Sequence, residues 1–467
     1  MKNALILFFL FLAGLSNASA QSLKNYRYDT DGLSKQFHRG RREALRAKLP
    51  EHGVAVFFSY PMRNYSNDTD YPYHPSPDFY YLTGFTECNA VLVVFKDQQG
   101  FKGLKSNEFL FVPEKNPSQE VWTGRMAGDA GAKELTGMDA VFNAAAFTES
   151  SFGWGSATEI LYILPTGVVD TERNKNDLHD LVAAFDKKAG KKAKESNEDQ
   201  LLKIMGELRE IKTPEELVLL RKAIEMSCEG HNEMMRTLTP GMAEYNAQAV
   251  GEYVFRRNGA EYMGYPSICG GAENACILHY NSNRRPLVDG DIQLNDMGAE
   301  YHGYTADVTR TIPVSGKFTE EQKAIYNLVL EAQTKGIEVA KVGADFNDTF
   351  RVSAQVIGNG LVKLGIIANP NDYGKYFMHG TSHYLGLDVH DAGTYGPLKA
   401  NSVITVEPGI YIAEGSPCDP KWWNIGVRIE DDILITENGP VNLSASSPRT
   451  VEDIEKMMAE EPAFIKK

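Results

Sequence analysis

The chain is poor in cysteine, with five among 467 residues. None of the five has the paired spacing of a zinc ribbon, which excludes a thiolate zinc site of that kind. An odd number leaves at least one free thiol if the others pair, and nothing in the residues points to a catalytic thiol. The five are Cys88, Cys228, Cys269, Cys276 and Cys418.

The chain also lacks a long apolar segment and an excess of positive charge. Beyond the N-terminus no run reaches the roughly 18 apolar residues of a membrane-spanning helix, so no membrane partner is expected. The 48 basic residues are outnumbered by 62 acidic ones, for a net charge of −14. Nucleic-acid binding depends on neutralising phosphates, so this balance argues against a nucleic-acid partner.

The first residues have the pattern of a secretory signal peptide. Lys2 supplies the positive charge, an apolar run extends from Leu5 to Leu15, and Ala18-Ser19-Ala20 is a small-residue cleavage site. We predict a signal peptide over residues 1–20 and an exported mature chain, periplasmic or secreted, that begins near Gln21. The apolar run is too short to span a bilayer; an uncleaved anchor helix is the alternative.

The length predicts at least two domains, because 467 residues exceed one ordinary hydrophobic core. Residues 21–195 alternate short apolar runs with helix-like segments, which predicts a smaller mixed α/β domain with a largely parallel sheet. The charged run from Lys187 to Asp199 is typical of a solvated linker or a helix surface, and the domain boundary is expected there. The strands expected in this domain are residues 54–58, 90–95, 109–112 and 161–164.

Residues 205–455 are expected to form a larger α+β domain. An amphipathic helix should run from about Pro214 to Arg236, because Thr213 is a good N-cap and proline suits the first helical position. The remaining segments mix strand patterns with Gly and Pro, which predicts a curved antiparallel sheet with helices on one side. Further helices are expected near residues 243–258, 320–339 and 349–364.

Five side chains in this second domain are potential metal ligands. Four carboxylates and one imidazole form a hard-donor set that suits two divalent cations better than one. Two ions about 3.5–4 Å apart are a recurrent hydrolytic centre. The sequence therefore predicts a dinuclear metal site. Its ligands would be Asp296, Asp307, His383, Glu407 and Glu430.

The first two carboxylates lie on a predicted hairpin. Ile292, Leu294 and Asp296 alternate along one strand and share a face, where a carboxylate is costly unless it is paired or binds a cation. If the hairpin is symmetric about residues 301–302, Asp307 lies directly opposite Asp296. Facing like charges repel unless metal ions bridge them. A solvated acidic hairpin is the alternative.

Three histidines fall within twelve residues, from His379 to His390. His383 is the expected ligand, while His379 and His390 suit hydrogen bonds to a substrate or stabilisation of an oxyanion. His279 is a further candidate, although a core histidine is the simpler interpretation of that position taken alone.

The last two carboxylates follow buried strand patterns. Glu407 ends an apolar run and precedes a Pro-Gly break. Arg428 and Glu430 alternate on one strand face, so the arginine can orient a ligating carboxylate by hydrogen bonding.

These motifs resemble those of the pita-bread metallopeptidases and, within them, aminopeptidase P. The resemblance rests on LNDMG, TADVTRT, SHYLGLDVHD, TVEPG and GVRIEDD, and on PSPDFYYLTGFTECNAVLV in the N-terminal half. It implies a pita-bread catalytic domain after a smaller N-terminal domain, with the family's two Asp, one His and two Glu at the five positions given above. The departures are Asn-Asp-Met-Gly, where Ile-Asp-Ala-Gly is usual, and an atypical run between Leu385 and Glu407.

The resemblance implies hydrolysis of the bond between an N-terminal residue and a following proline. In such a reaction a hydroxide bridging two metal ions attacks the scissile carbonyl, and Glu407 shuttles the proton. His279 and His390 would contact the substrate carbonyl. The expected substrate-binding residues are His279, His379, His390, Tyr411 and Arg428.

The expected metal is Mn(II), because carboxylate-rich donors favour it, with Co(II) or Zn(II) as alternatives. The expected partners are peptides with proline in the second position. Members of this family form dimers or tetramers through the N-terminal domain, so a homo-oligomer is expected.

Two alternatives concern function. Prolidase, which cleaves only X-Pro dipeptides, is the close one, and the block TSHYLGLDVHD argues against it, since that branch more often shows Pro-His-Gly-Leu-Gly-His. A non-catalytic peptide-binding module on the same fold is the alternative from another class. The intact ligand set argues against it, as it does against a metal-free amidinohydrolase related to creatinase.

Overall fold

The computed structural model describes residues 29–169, 176–190 and 197–464. The predicted signal peptide lies outside the described residues and stays a prediction. Across the described ranges, no helix has both the length and the apolar character needed to cross a membrane. All five cysteines fall within these ranges, and each is a free thiol. The chain divides into two compact units, Met1–Leu201 and Leu202–Lys467.

The first unit alternates strands and helices. Its strands are β1 (Val54–Phe58), β2 (Asn64–Ser66), β3 (Thr69–Asp70), β4 (Val91–Phe101), β5 (Leu104–Val112), β6 (Val141–Asn143) and β7 (Ile160–Tyr162). Its helices are α1 (Lys35–Lys48), α2 (Pro77–Thr83), α3 (Pro117–Thr123), α4 (Gly128–Thr136), α5 (Ala145–Glu149) and α6 (Leu178–Ala189).

The main sheet of this unit has the strand order β6-β5-β4-β1-β7. β1 pairs antiparallel with β4 and parallel with β7, while β5 pairs antiparallel with β4 and parallel with β6. The prediction of a largely parallel sheet is therefore wrong. β4 and β5 are joined by a two-residue turn at Lys102 and Gly103, both with positive φ, and such a hairpin makes its strands antiparallel.

Helices in the second unit begin at clear sequence signals. The Thr213 side chain accepts a hydrogen bond from the Glu216 N–H, and the Glu216 carboxylate accepts one from the Thr213 N–H. The four predicted helices are confirmed to within one residue at each end. A further helix, α7 (Glu198–Arg209), crosses the division between the units. The others are α8 (Pro214–Thr237), α9 (Glu244–Arg257), α10 (Glu320–Val339), α11 (Asp348–Lys363) and α12 (Val451–Met458).

The strands of the second unit pair antiparallel, as predicted. They form the sheets β13-β10-β9, β12-β11-β8, β14-β17-β18 and β15-β16. These strands are β8 (Tyr262–Met263), β9 (Ile268–Gly271), β10 (Ile292–Asp296), β11 (Ala299–Tyr301), β12 (Tyr304–Thr305), β13 (Thr309–Pro313), β14 (Val403–Val406), β15 (Gly409–Ile412), β16 (Ile425–Arg428), β17 (Asp431–Thr436) and β18 (Gly439–Asn442).

The hairpin that carries the first two acidic residues has a different register from the predicted one. β11 and β12 meet in a two-residue turn at His302 and Gly303, both with positive φ. The same register continues through β10 and β13, so Asp296 lies opposite Thr309. The prediction that Asp307 directly faces Asp296 is wrong, because the turn lies one residue later than assumed and that shift moves each cross-strand partner by two residues.

Candidate metal centre

Four carboxylates and one imidazole line a single cavity of about 600 Å³ in the second unit. The four carboxylates lie at or beside strand ends, whereas His383 lies in a loop whose backbone carbonyl accepts from the N–H of Thr405 in β14. The structure thus brings together the five residues that the sequence singled out as potential ligands. They are Asp296 at the end of β10, Asp307 before β13, His383 in the loop beside β14, Glu407 after β14 and Glu430 before β17.

The imidazole of His383 faces the carboxylates with one nitrogen. Its Nε2 lies 3.3 Å from Asp307 Oδ2 and 3.6 Å from Glu407 Oε1. Its Nδ1 lies 3.0 Å from Tyr384 O, and a carbonyl only accepts, so Nδ1 carries the proton. Nε2 therefore faces the acidic cluster, and it carries the lone pair whenever the ring is neutral, as in a metal ligand. Ligand atoms of Asp307, His383 and Glu430 all lie within 4.8 Å of one another.

Tyr265 links the two aspartates that do not face each other in the ladder. Its hydroxyl lies 2.6 Å from Asp296 Oδ1 and 2.6 Å from Asp307 Oδ1. One hydroxyl has a single hydrogen to donate, so it can satisfy only one of the two carboxylates. The oxygen of the other carboxylate then lies close to the hydroxyl oxygen without a hydrogen between them. This arrangement suits a cation. No local pattern marks Tyr265, which lies 31 and 42 residues from the aspartates.

The electrostatics of the cluster also favour a cation. Burial raises the pKa of the Glu407 carboxyl to about 7 and likewise raises the pKa values of Asp307 and Glu430. At His383 burial opposes protonation, but contact with Asp307 and the charge of Glu407 raise its pKa to about 9. Anionic carboxylates crowded into one buried site repel one another, and a divalent cation relieves that repulsion.

Arg428 connects the cluster to Tyr411 and His379. Its Nη2 lies 2.5 Å from Asp296 Oδ2, and its Nη1 donates to the Tyr411 hydroxyl at 2.9 Å. That hydroxyl lies 2.8 Å from His379 Nε2, and His379 Nδ1 lies 2.6 Å from Gly380 O. Because a carbonyl only accepts, Nδ1 is protonated and Nε2 accepts from Tyr411. Both nitrogens of His379 therefore form hydrogen bonds within the protein. Nδ1 fixes the ring on Gly380, and Nε2 orients the Tyr411 hydroxyl.

Two further predicted histidines, His279 and His390, line the same cavity from exposed positions. The ring of His390 lies 4.1 Å from that of His383, centroid to centroid. Partial burial, together with the neighbouring imidazoles, lowers the pKa of His390 to about 4. The side chain is therefore neutral near pH 7 and can donate a hydrogen bond to a developing oxyanion.

Two threonines that sequence reasoning did not single out support the carboxylates. Thr309 Oγ1 donates to Glu430 Oε2 at 2.6 Å, and Thr405 Oγ1 lies 3.4 Å from Glu407 Oε1. Alternation along a strand could have found both, since Thr405 lies two residues before Glu407 and Thr309 two residues after Asp307.

Comparison with known proteins places both units in one family. The model of metallopeptidase family M24 matches residues 218–437, and that of the aminopeptidase P N-terminal domain matches residues 38–159. A protein of Escherichia coli (strain K12) named Xaa-Pro aminopeptidase is 36% identical over 447 residues, which cover 91% of this chain and 98% of that protein.

Solved structures agree with this placement. Aminopeptidase P from E. coli with the inhibitor Pro-Leu superposes with a TM-score of 0.81 at 34% identity, over 91% of this chain and 98% of that one. The aminopeptidase PepP of Pseudomonas aeruginosa gives a TM-score of 0.81 at 34% identity, over 92% and 99% of the two chains. These matches confirm the predicted pita-bread domain, its preceding N-terminal domain and the assignment as a metallo-exopeptidase. The chain belongs to the aminopeptidase P group of metallopeptidase family M24.

Proposed function

We propose that this protein hydrolyses the peptide bond between an N-terminal residue and a proline in the second position. The observation that carries the proposal is the shared cavity of four carboxylates, the imidazole of His383 and three further histidines. It occurs in a chain 36% identical to a protein named Xaa-Pro aminopeptidase, over nearly the whole length of both.

We infer that the cluster holds two divalent cations. The donor set fits such ions, because the oxygens of two aspartates crowd one hydroxyl and His383 Nε2 faces carboxylates, where a metal ion can take the place of the ring proton. Mn(II) is the first choice for a carboxylate-rich set, and Co(II) or Zn(II) can take the same ligands. When bound, the ions supply Lewis acidity that activates water and offsets negative charge on the scissile carbonyl oxygen. The proposed ligands are Asp296, Asp307, His383, Glu407 and Glu430.

Glu407 is the carboxylate best placed to move a proton. Within the described residues its one hydrogen-bond donor is the Thr405 hydroxyl, at 3.4 Å. By contrast, Asp296 is held by Arg428 and Tyr265, and Glu430 by a threonine hydroxyl at 2.6 Å. Glu407 is also 18% exposed toward the cavity. It can therefore accept a proton from water at the reacting carbon and pass it to the departing proline nitrogen.

Two histidines and an arginine–tyrosine pair complete the proposed site. His279 and His390 stand at exposed positions of the cavity, where they can hydrogen-bond the substrate carbonyl as negative charge develops on it. Arg428 lines the cavity and is held in place by its hydrogen bond to Tyr411, which is buried behind it, so the guanidinium offers the substrate a fixed polar group. The free α-amino group of a peptide is a cation, so an acidic cavity favours substrates that present it.

Proline in the second position explains the need for such a site. The X-Pro bond is a tertiary amide without an N–H, and the ring restricts the residue before it. General peptidases that rely on that N–H or on a flexible backbone lose those contacts. A cavity that recognises the α-amino group, the scissile carbonyl and the ring needs neither.

The deciding experiment measures release of the N-terminal residue from Arg-Pro-Pro with Mn(II), beside an X-Pro dipeptide and an Arg-Ala-Pro control. Cleavage of Arg-Pro-Pro with the Ala control untouched is the expected result. Cleavage of the dipeptide alone would make the protein a prolidase. Absence of cleavage with Mn(II), Co(II) and Zn(II) would overturn the proposal in favour of a binding module.

A further inference from the structure

A buried group of charges lies beside the proposed site without touching the acidic cluster. The Asp391 carboxylate accepts a short hydrogen bond from Arg209 Nη2 at one oxygen and a 2.6 Å hydrogen bond from Lys212 Nζ at the other. The three side chains are at most 4% exposed. Arg209 and Lys212 flank the connection between α7 and α8, about 180 residues before Asp391 in the chain.

The Asp391 carboxyl is ionised despite its burial. Burial opposes the charge on Asp391, but Arg209 and Lys212 outweigh it and hold the pKa of that carboxyl below its ordinary value. Arg209 Nη2 also donates to Asp388 Oδ2 at 2.7 Å. A buried ion pair is weak evidence of stabilisation by itself, whereas it does restrict the geometry of the groups that form it.

The position of Asp391 ties these charges to the proposed site. Asp391 directly follows His390, and its backbone N–H donates to Tyr384 O at 2.8 Å. The same carbonyl accepts from His383 Nδ1 at 3.0 Å. The Tyr384 carbonyl therefore hydrogen-bonds both the backbone after His390 and the ring of His383. Arg209 and Lys212 fix the same backbone through the side chain of Asp391.

The loop formed by residues 384–391 packs tightly against the charged side chains of Asp391 and Lys212. A Cβ at Gly386 would overlap Asp391 Oδ2 and lie 2.9 Å from Lys212 Nζ, so a side chain has no room there. Glu210, the residue after Arg209, is fully buried and accepts from the Tyr384 hydroxyl at 3.0 Å. Residues 209–212 therefore contact this loop at two points, the Asp391 carboxylate and the Tyr384 hydroxyl.

We propose that Arg209 and Lys212 are positioning residues for His390, acting through Asp391. They do not touch the cavity. They set where the backbone of residues 390 and 391 lies, and therefore where the imidazole of His390 meets the substrate carbonyl. The inference rests on the proposed function, since it concerns how His390 is held for that reaction. Displacement of a catalytic group by about 1 Å is enough to slow an enzyme strongly.

A double-mutant cycle tests this role. Arg209→Met and Lys212→Met are each made in the wild-type chain and in His390→Ala, and kcat, KM and metal content are measured on Arg-Pro-Pro with Mn(II). We expect each substitution to lower kcat by about tenfold or more in the wild-type chain, with KM changed by less than about threefold. In His390→Ala the same substitution should cost less than about twofold, because its target is gone.

Control variants separate positioning from general damage. Arg209→Lys keeps the charge and should recover most of kcat. Arg236→Met removes an arginine that pairs with Glu460 at 3.0 Å. Arg236 lies near the C-terminal end of α8, about 35 Å along the helix from the end that follows Lys212. This variant should leave kcat unchanged. An equal loss in the wild-type and His390→Ala chains, or a loss of metal in proportion to kcat, would overturn the inference.

A structural readout keeps this test separate from that of the proposed function. If the wild-type chain cleaves none of the peptides, the proposed function fails while the positioning inference is still decided by crystal structures. There we expect the His390 ring in Arg209→Met to shift by more than about 0.5 Å, with no such shift in Arg236→Met. An unmoved ring would overturn the inference whatever the activity.

Discussion

The guanidinium of Arg428 and the carboxylate of Asp296 form a buried ion pair, with Nη2 2.5 Å from Oδ2 and the side chains 4% and 11% exposed. The same guanidinium donates to the Tyr411 hydroxyl through Nη1 and to Thr309 Oγ1 through Nε. A guanidinium can serve three such acceptors because its donors are held in a rigid plane. Arg428 therefore fixes the orientation of a proposed metal ligand and of a proposed substrate contact together.

Arg428→Lys should separate charge from geometry. The ammonium keeps the positive charge but cannot hold three acceptors in one plane, so we expect metal affinity to fall by roughly 10–100-fold. We also expect kcat/KM to fall by about 100-fold at saturating metal. Metal titration and steady-state kinetics measure the two effects. Arg236→Lys is the matched control, and retention of full kcat/KM in Arg428→Lys would show that charge alone suffices.

Glu407→Ala should abolish turnover while the fold is kept. The substitution removes the carboxylate that we assign to proton transfer, and we expect kcat to fall by at least about 1,000-fold. The readouts are single-turnover kinetics and far-ultraviolet circular dichroism. An unchanged kcat would remove Glu407 from the proton-transfer role.

His383→Ala and His390→Ala should differ in their effect on metal. His383 directs Nε2 at the carboxylates, so its loss should lower the metal content at limiting Mn(II). His390 lies beside it without a carboxylate contact of that kind among the described residues, so its loss should lower kcat with metal retained. Elemental analysis of both variants decides between the roles. Full occupancy in His383→Ala, or loss of metal in His390→Ala, would mean that the histidines are misassigned.

His231→Gln should reduce the loss of stability in mild acid. His231 lies on α8, is 1% exposed, and has Nε2 3.2 Å from Met297 O. Burial lowers the pKa of His231 to about 4, whereas the unfolded chain binds the proton near pH 6.5. Protonation therefore favours the unfolded chain as the pH falls from 7.5 to 5.5, and this residue removes about 1.4 kcal/mol of stability over that interval.

Glutamine can keep the hydrogen bond to the Met297 carbonyl but does not titrate. Urea denaturation of both metal-free chains at pH 7.5 and 5.5 measures the difference. We expect the wild-type chain to lose about 1.4 kcal/mol more than His231→Gln between the two pH values. Equal losses would mean that His231 is protonated in the folded protein.

Local sequence signals predicted the helices of the second unit well. Thr213 followed by Pro214 and Glu216 specifies a helix start by hydrogen bonds within four residues, and the structure contains that capping box. The five acidic and imidazole residues were also recognisable, because each stands within a short motif. Such features depend on neighbours in the chain, so they can be interpreted before the fold is known.

Strand register was harder to predict. Asp296 was expected opposite Asp307, but the turn at His302 and Gly303 places it opposite Thr309. A two-residue turn at Tyr301 and His302 would place a tyrosine in the left-handed region, whereas the observed turn places Gly303 there, so this register could have been found from the glycine. In the first sheet, apolar runs identified the strands but not their directions.

The sequence by itself determined the family, the donor set and the helix boundaries, because these depend on residue type and short spacing. Only the tertiary structure decided that Tyr265 bridges two aspartates, that Arg428 serves three acceptors, and that the charges at residues 209 and 212 hold the loop after His390. The physical reason is distance along the chain. A hydrogen bond between residues that lie tens to hundreds of positions apart leaves no periodicity in either segment, and it exists only once the fold has brought them together.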